Sequence, residues 1–166
     1  MQLAGTTIKT PWSSLSVIVD IEKFPIVRAC AFESLNSLTN KASFTGEKFI
    51  KDAKLDGVVE VIENWLDGDL DAMKSLKVAQ PGGDFMQKCW SVLRNVHGGT
   101  VVSYQDLARR AGRPLAMRAA GSAMAKNLIA PIIPCHRVIK STGEIGNYGF
   151  GVSLKRQLLL HEGIEL

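Results

Sequence analysis

The chain has 166 residues, a formal net charge of +4, and apolar residues at close to half of its positions, which describes a globular protein able to bury about two-thirds of its unfolded surface. It contains no apolar run of about eighteen residues that would span a membrane, and Met1 to Thr7 lacks the basic-then-apolar plan of a secretory signal, so a cytoplasmic protein free of membrane is expected. Cys30, Cys89 and Cys135 are an odd, widely spaced set that suits reduced thiols, and neither they nor His97, His136 and His161 show the paired spacing of a metal site. In chain order, Ile8, Leu15 to Val19 and Ile26 to Phe32 alternate in a strand-like way between breaks at Pro11, Ser13-Ser14 and Pro25, and this predicts an antiparallel meander over residues 6–33. Phe49, Ala53, Val58, Val59, Ile62, Trp65 and Leu66 then suit an amphipathic helix between Ser43 and Leu66, closed by Asp67-Gly68-Asp69. A short strand is expected between Ser75 and Val78. Gln80-Pro81-Gly82-Gly83 combines proline and glycines with a change of charge. Residues 1–83 hold nine Lys and Arg against eleven Asp and Glu, while residues 84–166 hold eleven against five. The expectation is an α+β chain of two domains, 1–82 and 83–166, whose basic second half either binds a polyanion or is simply well solvated.

Beyond the boundary, Asp84 is placed to cap a helix in which Phe85, Cys89, Trp90 and Leu93 recur at helical spacing until His97-Gly98-Gly99, so Cys89 reads as core. Ser103, with Asp106 three residues on, marks the start of a helix from Tyr104 to Ala111. Gly112 ends it, and Pro114 stands where a first helical residue belongs, which predicts a second helix through Ala125 and a helix-turn-helix arrangement. That second helix carries Ala116, Ala119, Ala120, Gly121, Ser122, Ala123 and Ala125 around a single arginine, Arg118. Small residues of this kind serve either tight packing in a core or close approach to another surface. Tight packing leaves Arg118 unused, whereas a nucleic-acid groove employs it.

Pro134-Cys135-His136-Arg137-Val138 sets a thiol beside an imidazole and a guanidinium within an apolar run, Ala130 to Ile139. A thiol attacks only as thiolate, and a neighbouring cation or hydrogen-bonded base supplies that form. Pro131 and Pro134 stiffen the approach. The alternative is a buried structural cysteine. Ser141 to Gly151 is a loop with four glycines and two aromatics, where Tyr148 is placed to stack on a planar base and glycine backbone to approach a ligand. Ser153 is expected to open a last helix, Leu154 to His161, with Glu162 near its end.

Residues 84–166 resemble the O6-alkylguanine-DNA alkyltransferases, also called methylated-DNA–protein-cysteine methyltransferases. The resemblance rests on Val102-Ser103-Tyr104-Gln105, Arg118-Ala119-Ala120-Gly121, Asn127, Ile133-Pro134-Cys135-His136-Arg137-Val138, Gly146-Asn147-Tyr148 and Leu160-His161-Glu162-Gly163, in that order. The first half is similar to the family only in layout, which there is an RNase H-like domain supporting a winged helix-turn-helix domain. Leu128-Ile129-Ala130-Pro131 departs from the family's usual Asn-Pro-x-Pro, and the zinc ligands of some members have no equivalent here. The resemblance implies irreversible transfer of an alkyl group from O6-alkylguanine, and from O4-alkylthymine, in double-stranded DNA to Cys135 by a monomer that needs no cofactor. It further implies that Glu162 orients His136, that His136 deprotonates the thiol through a water, and that Tyr104 donates to the departing base. Asn127 would tie the helices to the active-site turn. Val138, Tyr148 and Gly149 would hold the base, and Ser103, Arg118, Ala119 and Arg137 would contact DNA in the minor groove, with Arg118 filling the gap left by an extruded nucleotide. A winged-helix regulator, a thiol hydrolase and a damage sensor without transfer activity are the rival classes. The first and last have no use for Cys135, and the second none for Arg118.

Overall fold

The computed structural model describes residues 1–52 and 54–166 and divides into two compact units, residues 1–80 with 128–132, and residues 81–127 with 133–166. In the first unit, β1 (Leu3–Lys9), β2 (Ser14–Asp20) and β3 (Ile26–Ala31) form the expected antiparallel meander, with Leu3 opposite Asp20 and Ile18 opposite Ala29. Two short strands, β4 (Phe49–Ile50) and β5 (Lys77–Val78), join its edges in parallel, so the order is β4-β1-β2-β3-β5. Leu15 to Val19 are buried without alternation, as befits a central strand covered on both faces. A helix α1 (Leu35–Lys41) packs against β2. It was not foreseen, because Leu38 is its only buried residue, although Ser34 marks its start by accepting the N–H of Ser37 at 3.1 Å.

The helix expected from Ser43 to Leu66 is reduced to α2 (Val58–Leu66). The carboxylate of Asp52 accepts the N–H groups of Lys54, Leu55 and Asp56 at 3.0 to 3.1 Å. This winds the chain into a turn whose Asp56 and Gly57 have φ of 52° and 92°. A side chain that collects backbone donors competes directly with the helical ladder, and left-handed residues cannot continue a right-handed helix. Ala53, counted toward that periodicity, lies outside the described residues.

The second unit contains α3 (Asp84–Leu93), α4 (Tyr104–Arg110), α5 (Met117–Ala125) and α6 (Val152–His161), with β6 (Val102–Ser103) parallel to β7 (Val138–Ile139). Cys89, Trp90 and Leu93 are buried on α3, and the Trp90 indole donates to the Ala123 carbonyl at 2.9 Å, pinning α3 to α5. Gly83 rather than Asp84 occupies the capping position of α3. Ser103 caps α4 as expected, accepting from the Asp106 N–H at 3.0 Å, while the Asp106 carboxylate turns to Arg109 and Arg110. α5 begins at Met117, three residues later than expected. The Ala116 N–H donates to the Arg113 carbonyl at 3.0 Å, so Pro114 forms the corner of a turn that its fixed φ suits. α6 opens at Val152 after Gly151, one residue before Ser153.

One segment departs from a simple cut at residue 82. Residues 128–132 belong to the first unit, where the Cys30 N–H donates to the Leu128 carbonyl at 2.8 Å and the Ala130 N–H to the Cys30 carbonyl at 2.9 Å. Among the described residues no helix is long and apolar enough to cross a membrane.

Candidate active site

Cys135 to Arg137 form a single 3-10 turn that leads into β7. Asn127 and Ile133 are the two ends of the second unit between which residues 128–132 depart and return. The Asn127 side-chain amide ties those ends by donating to the Ile133 carbonyl at 2.9 Å, and it donates also to Cys135 Sγ at 3.4 Å. Cys135 is 7% exposed. Burial pushes its thiol pKa up, opposed by the Asn127 hydrogen bond and the positive charge of Lys155. At rest the group is therefore a protonated thiol with thiolate-stabilising partners already in place.

His136 and Glu162 are both buried, with Nε2 of the imidazole 2.9 Å from Oε1 of the carboxylate. Burial pushes the Glu162 pKa up, but hydrogen bonds from Arg137 and His136 outweigh it and hold the carboxyl down at about 2. Burial lowers the His136 pKa against the pull of Glu162, so the ring is a neutral imidazole near pH 7. An ionised Glu162 can only accept, which places the ring proton on Nε2 and leaves Nδ1 as a buried lone pair without a hydrogen-bond partner in the protein. That tautomer is a general base.

Arg137, expected at the DNA surface, is buried. Its Nε donates to Glu162 Oε1 at 2.9 Å, Nη2 to Oε2 at 2.5 Å and Nη1 to the Val96 carbonyl at 2.6 Å. Such a fork satisfies a buried carboxylate and directs these three donors inward. Val138, expected to hold the base through its backbone, lies fully buried in β7, where its carbonyl accepts from Lys155 Nζ at 2.6 Å.

Lys155 is the functional residue that sequence reasoning missed. It is fully buried, and its Nζ donates to the Val138 carbonyl at 2.6 Å and the Asn147 carbonyl at 3.0 Å. Burial lowers its pKa to about 8, against the opposing effect of Cys135. The one available signal was a lysine on the apolar side of α6, between Leu154 and Leu158. Its amine is 5.9 Å from the centroid of the Tyr104 ring. Gly146 lies against both groups at φ 75°, a backbone conformation that favours glycine, and a Cβ there would only touch them, 3.4 Å from the Tyr104 ring and 3.6 Å from Lys155 Nζ.

Cys135 contributes to the lining of a cleft of about 790 Å³ together with Tyr104, Arg118, Asn147, Tyr148 and Gly149. The Tyr148 and Phe150 rings meet edge to face at 5.4 Å. Burial raises the Tyr104 pKa, as does the charge of Cys135 when ionised, so its hydroxyl is a donor at neutral pH. Among the described residues no group of three or more His, Cys, Asp or Glu side chains is placed to hold a metal ion.

A family model described as the 6-O-methylguanine DNA methyltransferase, DNA binding domain, matches residues 84–164. A methylated-DNA–protein-cysteine methyltransferase of Shigella flexneri is 34% identical over 168 residues, covering 98% of this chain and 97% of that protein. The chain belongs to this family. A second member, from Kluyveromyces lactis, is 42% identical over 98 residues, which cover 58% of this chain and 52% of that longer relative. The crystal structure of Mycobacterium tuberculosis OGT in complex with DNA matches with a TM-score of 0.74 and 26% identity, covering 96% of this chain and 93% of that one.

Within this member of the methylated-DNA–protein-cysteine methyltransferases, the remaining expected residues fall on or beside α4 and α5. Arg118 is exposed at the cleft and Ala119 is half-buried beside it. Ser103 is half-buried with its hydroxyl used as the cap of α4. Thus Tyr104, Arg118, Cys135, Tyr148 and Gly149 meet at one cleft, Asn127 reaches Cys135 Sγ, and His136 and Glu162 are buried outside the cleft lining.

Proposed function

We propose that the protein repairs duplex DNA by accepting the alkyl group of O6-alkylguanine, or of O4-alkylthymine, on Cys135, once per molecule. Sγ attacks the alkyl carbon in line with the oxygen: an S–C bond forms, the C–O bond breaks, and the guanine departs as an anion. The thiol proton passes through a water to His136 Nδ1, and the resulting imidazolium is stabilised by Glu162, which Arg137 keeps ionised. Tyr104 donates to the departing base, and Lys155 stabilises the thiolate before attack. The product is a thioether, whose C–S bond is stable to water and to the departed base, so the acceptor is consumed.

The observation that carries this reading is a cysteine in the lining of a cleft large enough for a base, next in sequence to an imidazole whose tautomer a buried carboxylate fixes. The target atom lies inside a duplex, so the nucleotide leaves the stack at a cost of a few kcal/mol. Arg118, exposed at the cleft among small residues, takes its place. In this reading α4 and α5 are the helix-turn-helix of a winged domain spanning residues 83–166, which docks in the minor groove with Ser103 and Ala119 against the duplex. Residues 1–82 form an RNase H-like supporting domain. The protein acts as a monomer in the cytoplasm and on the nucleoid. Incubation with a duplex carrying one O6-methylguanine is expected to add the mass of one methylene per molecule, located by peptide mapping at Cys135. An unchanged mass, or an adduct elsewhere, would overturn the assignment.

A further inference from the structure

Leu115 is 99% exposed, while the next most exposed large apolar side chain among the described residues, Met1, reaches only 53%. The backbone that presents it is not loose. The Arg113 N–H donates to the Ala108 carbonyl at 2.9 Å and the Ala116 N–H to the Arg113 carbonyl at 3.0 Å, and Pro114 fixes its own φ at the corner. The Arg113 guanidinium stands 5.4 Å from the centroid of the Phe85 ring, anchoring the turn to α3. A leucine held rigidly in water contributes nothing to the core, and its whole side chain is open to contact with a partner.

The surroundings say what that partner is. Between Ser103 and Lys126 the chain carries Arg109, Arg110, Arg113, Arg118 and Lys126 against a single carboxylate, Asp106, a surface complementary to a polyanion. Arg118, three residues on, lines the cleft that holds Cys135, whereas Leu115 lies outside that lining. We propose that Leu115 is an apolar wedge that enters the minor groove beside the nucleotide being extruded, resting on deoxyribose faces and opening the base step next to the lesion. This rests on the reading of α5 as the DNA-docking helix. Apolar side chains in a minor groove act in this way, trading lost stacking for a bent duplex that exposes its bases. Leu115 and Arg118 then divide the work, the first opening the step and the second filling the space that the base vacates.

The test is the single-turnover rate of methyl transfer to the wild-type protein and to Leu115→Ala and Leu115→Met, on a duplex carrying one O6-methylguanine and on the free O6-methylguanine base. Losing the contact of a partly buried leucine is expected to slow the alanine variant by about three- to tenfold on the duplex. Its rate on free base should be unchanged, and Leu115→Met should keep the wild-type duplex rate. Because Leu115 touches no core, the melting temperatures should agree. Several outcomes overturn the proposal: equal duplex rates for wild type and Leu115→Ala, equal losses on both substrates, or a change in oligomeric state on substitution. It also fails if replacing thymine by uracil in the duplex slows the wild type to the alanine rate, since that places Leu115 on a major-groove methyl group. A wild-type protein that methylates Cys135 on neither substrate refutes the reading of the site instead, and so separates the two failures.

Discussion

At the scale of single residues, the site joins an acid that burial makes weaker to a base that burial also makes weaker. The raised pKa of Cys135 keeps the thiol protonated, and the lowered pKa of His136 keeps its imidazole unprotonated below the ordinary value of about 6.5. Transfer from free base is therefore expected to be level across neutrality and to decline only below that value, as a stopped-time mass measurement over a pH series would show. Cys135→Ser should abolish transfer while leaving affinity for alkylated duplex close to wild type, because the hydroxyl is far less ionised. Arg137→Met should unfold in urea as though destabilised by about 3–5 kcal/mol, since it strands Glu162 as a buried unpaired charge. Lys155 gives a stability signature with a definite sign. Its pKa is about 8 when folded against 10.5 ordinarily, so as pH rises from about 8 to 10.5 the unfolded chain holds a proton that the folded chain has released, and folding gains. The difference in urea midpoint between wild type and Lys155→Met should shift in favour of wild type across that window. Glu162 has the same sign at the acid end: stability present above 4.5 is lost as pH falls toward about 2. Cys135 and His136 were legible as a pair because they are adjacent. Lys155 and the burial of Arg137 were not, because each depends on where α6 returns, and no local pattern states that.

Secondary-structure elements were legible where one signal dominated. α3 and α4 follow from apolar spacing and the Ser103 cap, and the meander from alternation interrupted by proline. The sequence misled where two signals competed. Asp52 diverts the donors that the expected helix over 43–57 needed, and Pro114 serves a turn as readily as a helix start. α1 escaped notice because a helix with one buried residue has no period to detect. On α5, Arg118 stands exposed among small side chains. Arg118→Ala should slow transfer from duplex strongly and leave transfer from free base nearly unchanged, since only extrusion loses its compensation. Arg118→Lys should fall between, keeping the charge without the planar group that stacks. Equal losses on the two substrates would assign Arg118 to the fold.

For the whole molecule, charge separates what composition averages. The modest net +4 combines a slightly acidic first half with residues 84–166 at net +6. Affinity for duplex should therefore fall steeply as salt rises, by counterion release, and charge reversal at Arg109 and Arg110 should weaken binding to damaged and undamaged duplex alike. A titration by fluorescence anisotropy at several salt concentrations measures both, and salt-independent binding would reduce the basic half to a solvated surface. The near-complete burial of Cys135 has a consequence on the timescale of the cell. A protein consumed by its own reaction is a stored reagent, and any oxidant or stray electrophile that reached the sulfur would use up a molecule without repairing anything. A thiol kept protonated and nearly out of contact with solvent reacts slowly with such agents. It keeps its single use until a base enters the cleft, so the depth of the sulfur sets the shelf life of the repair capacity.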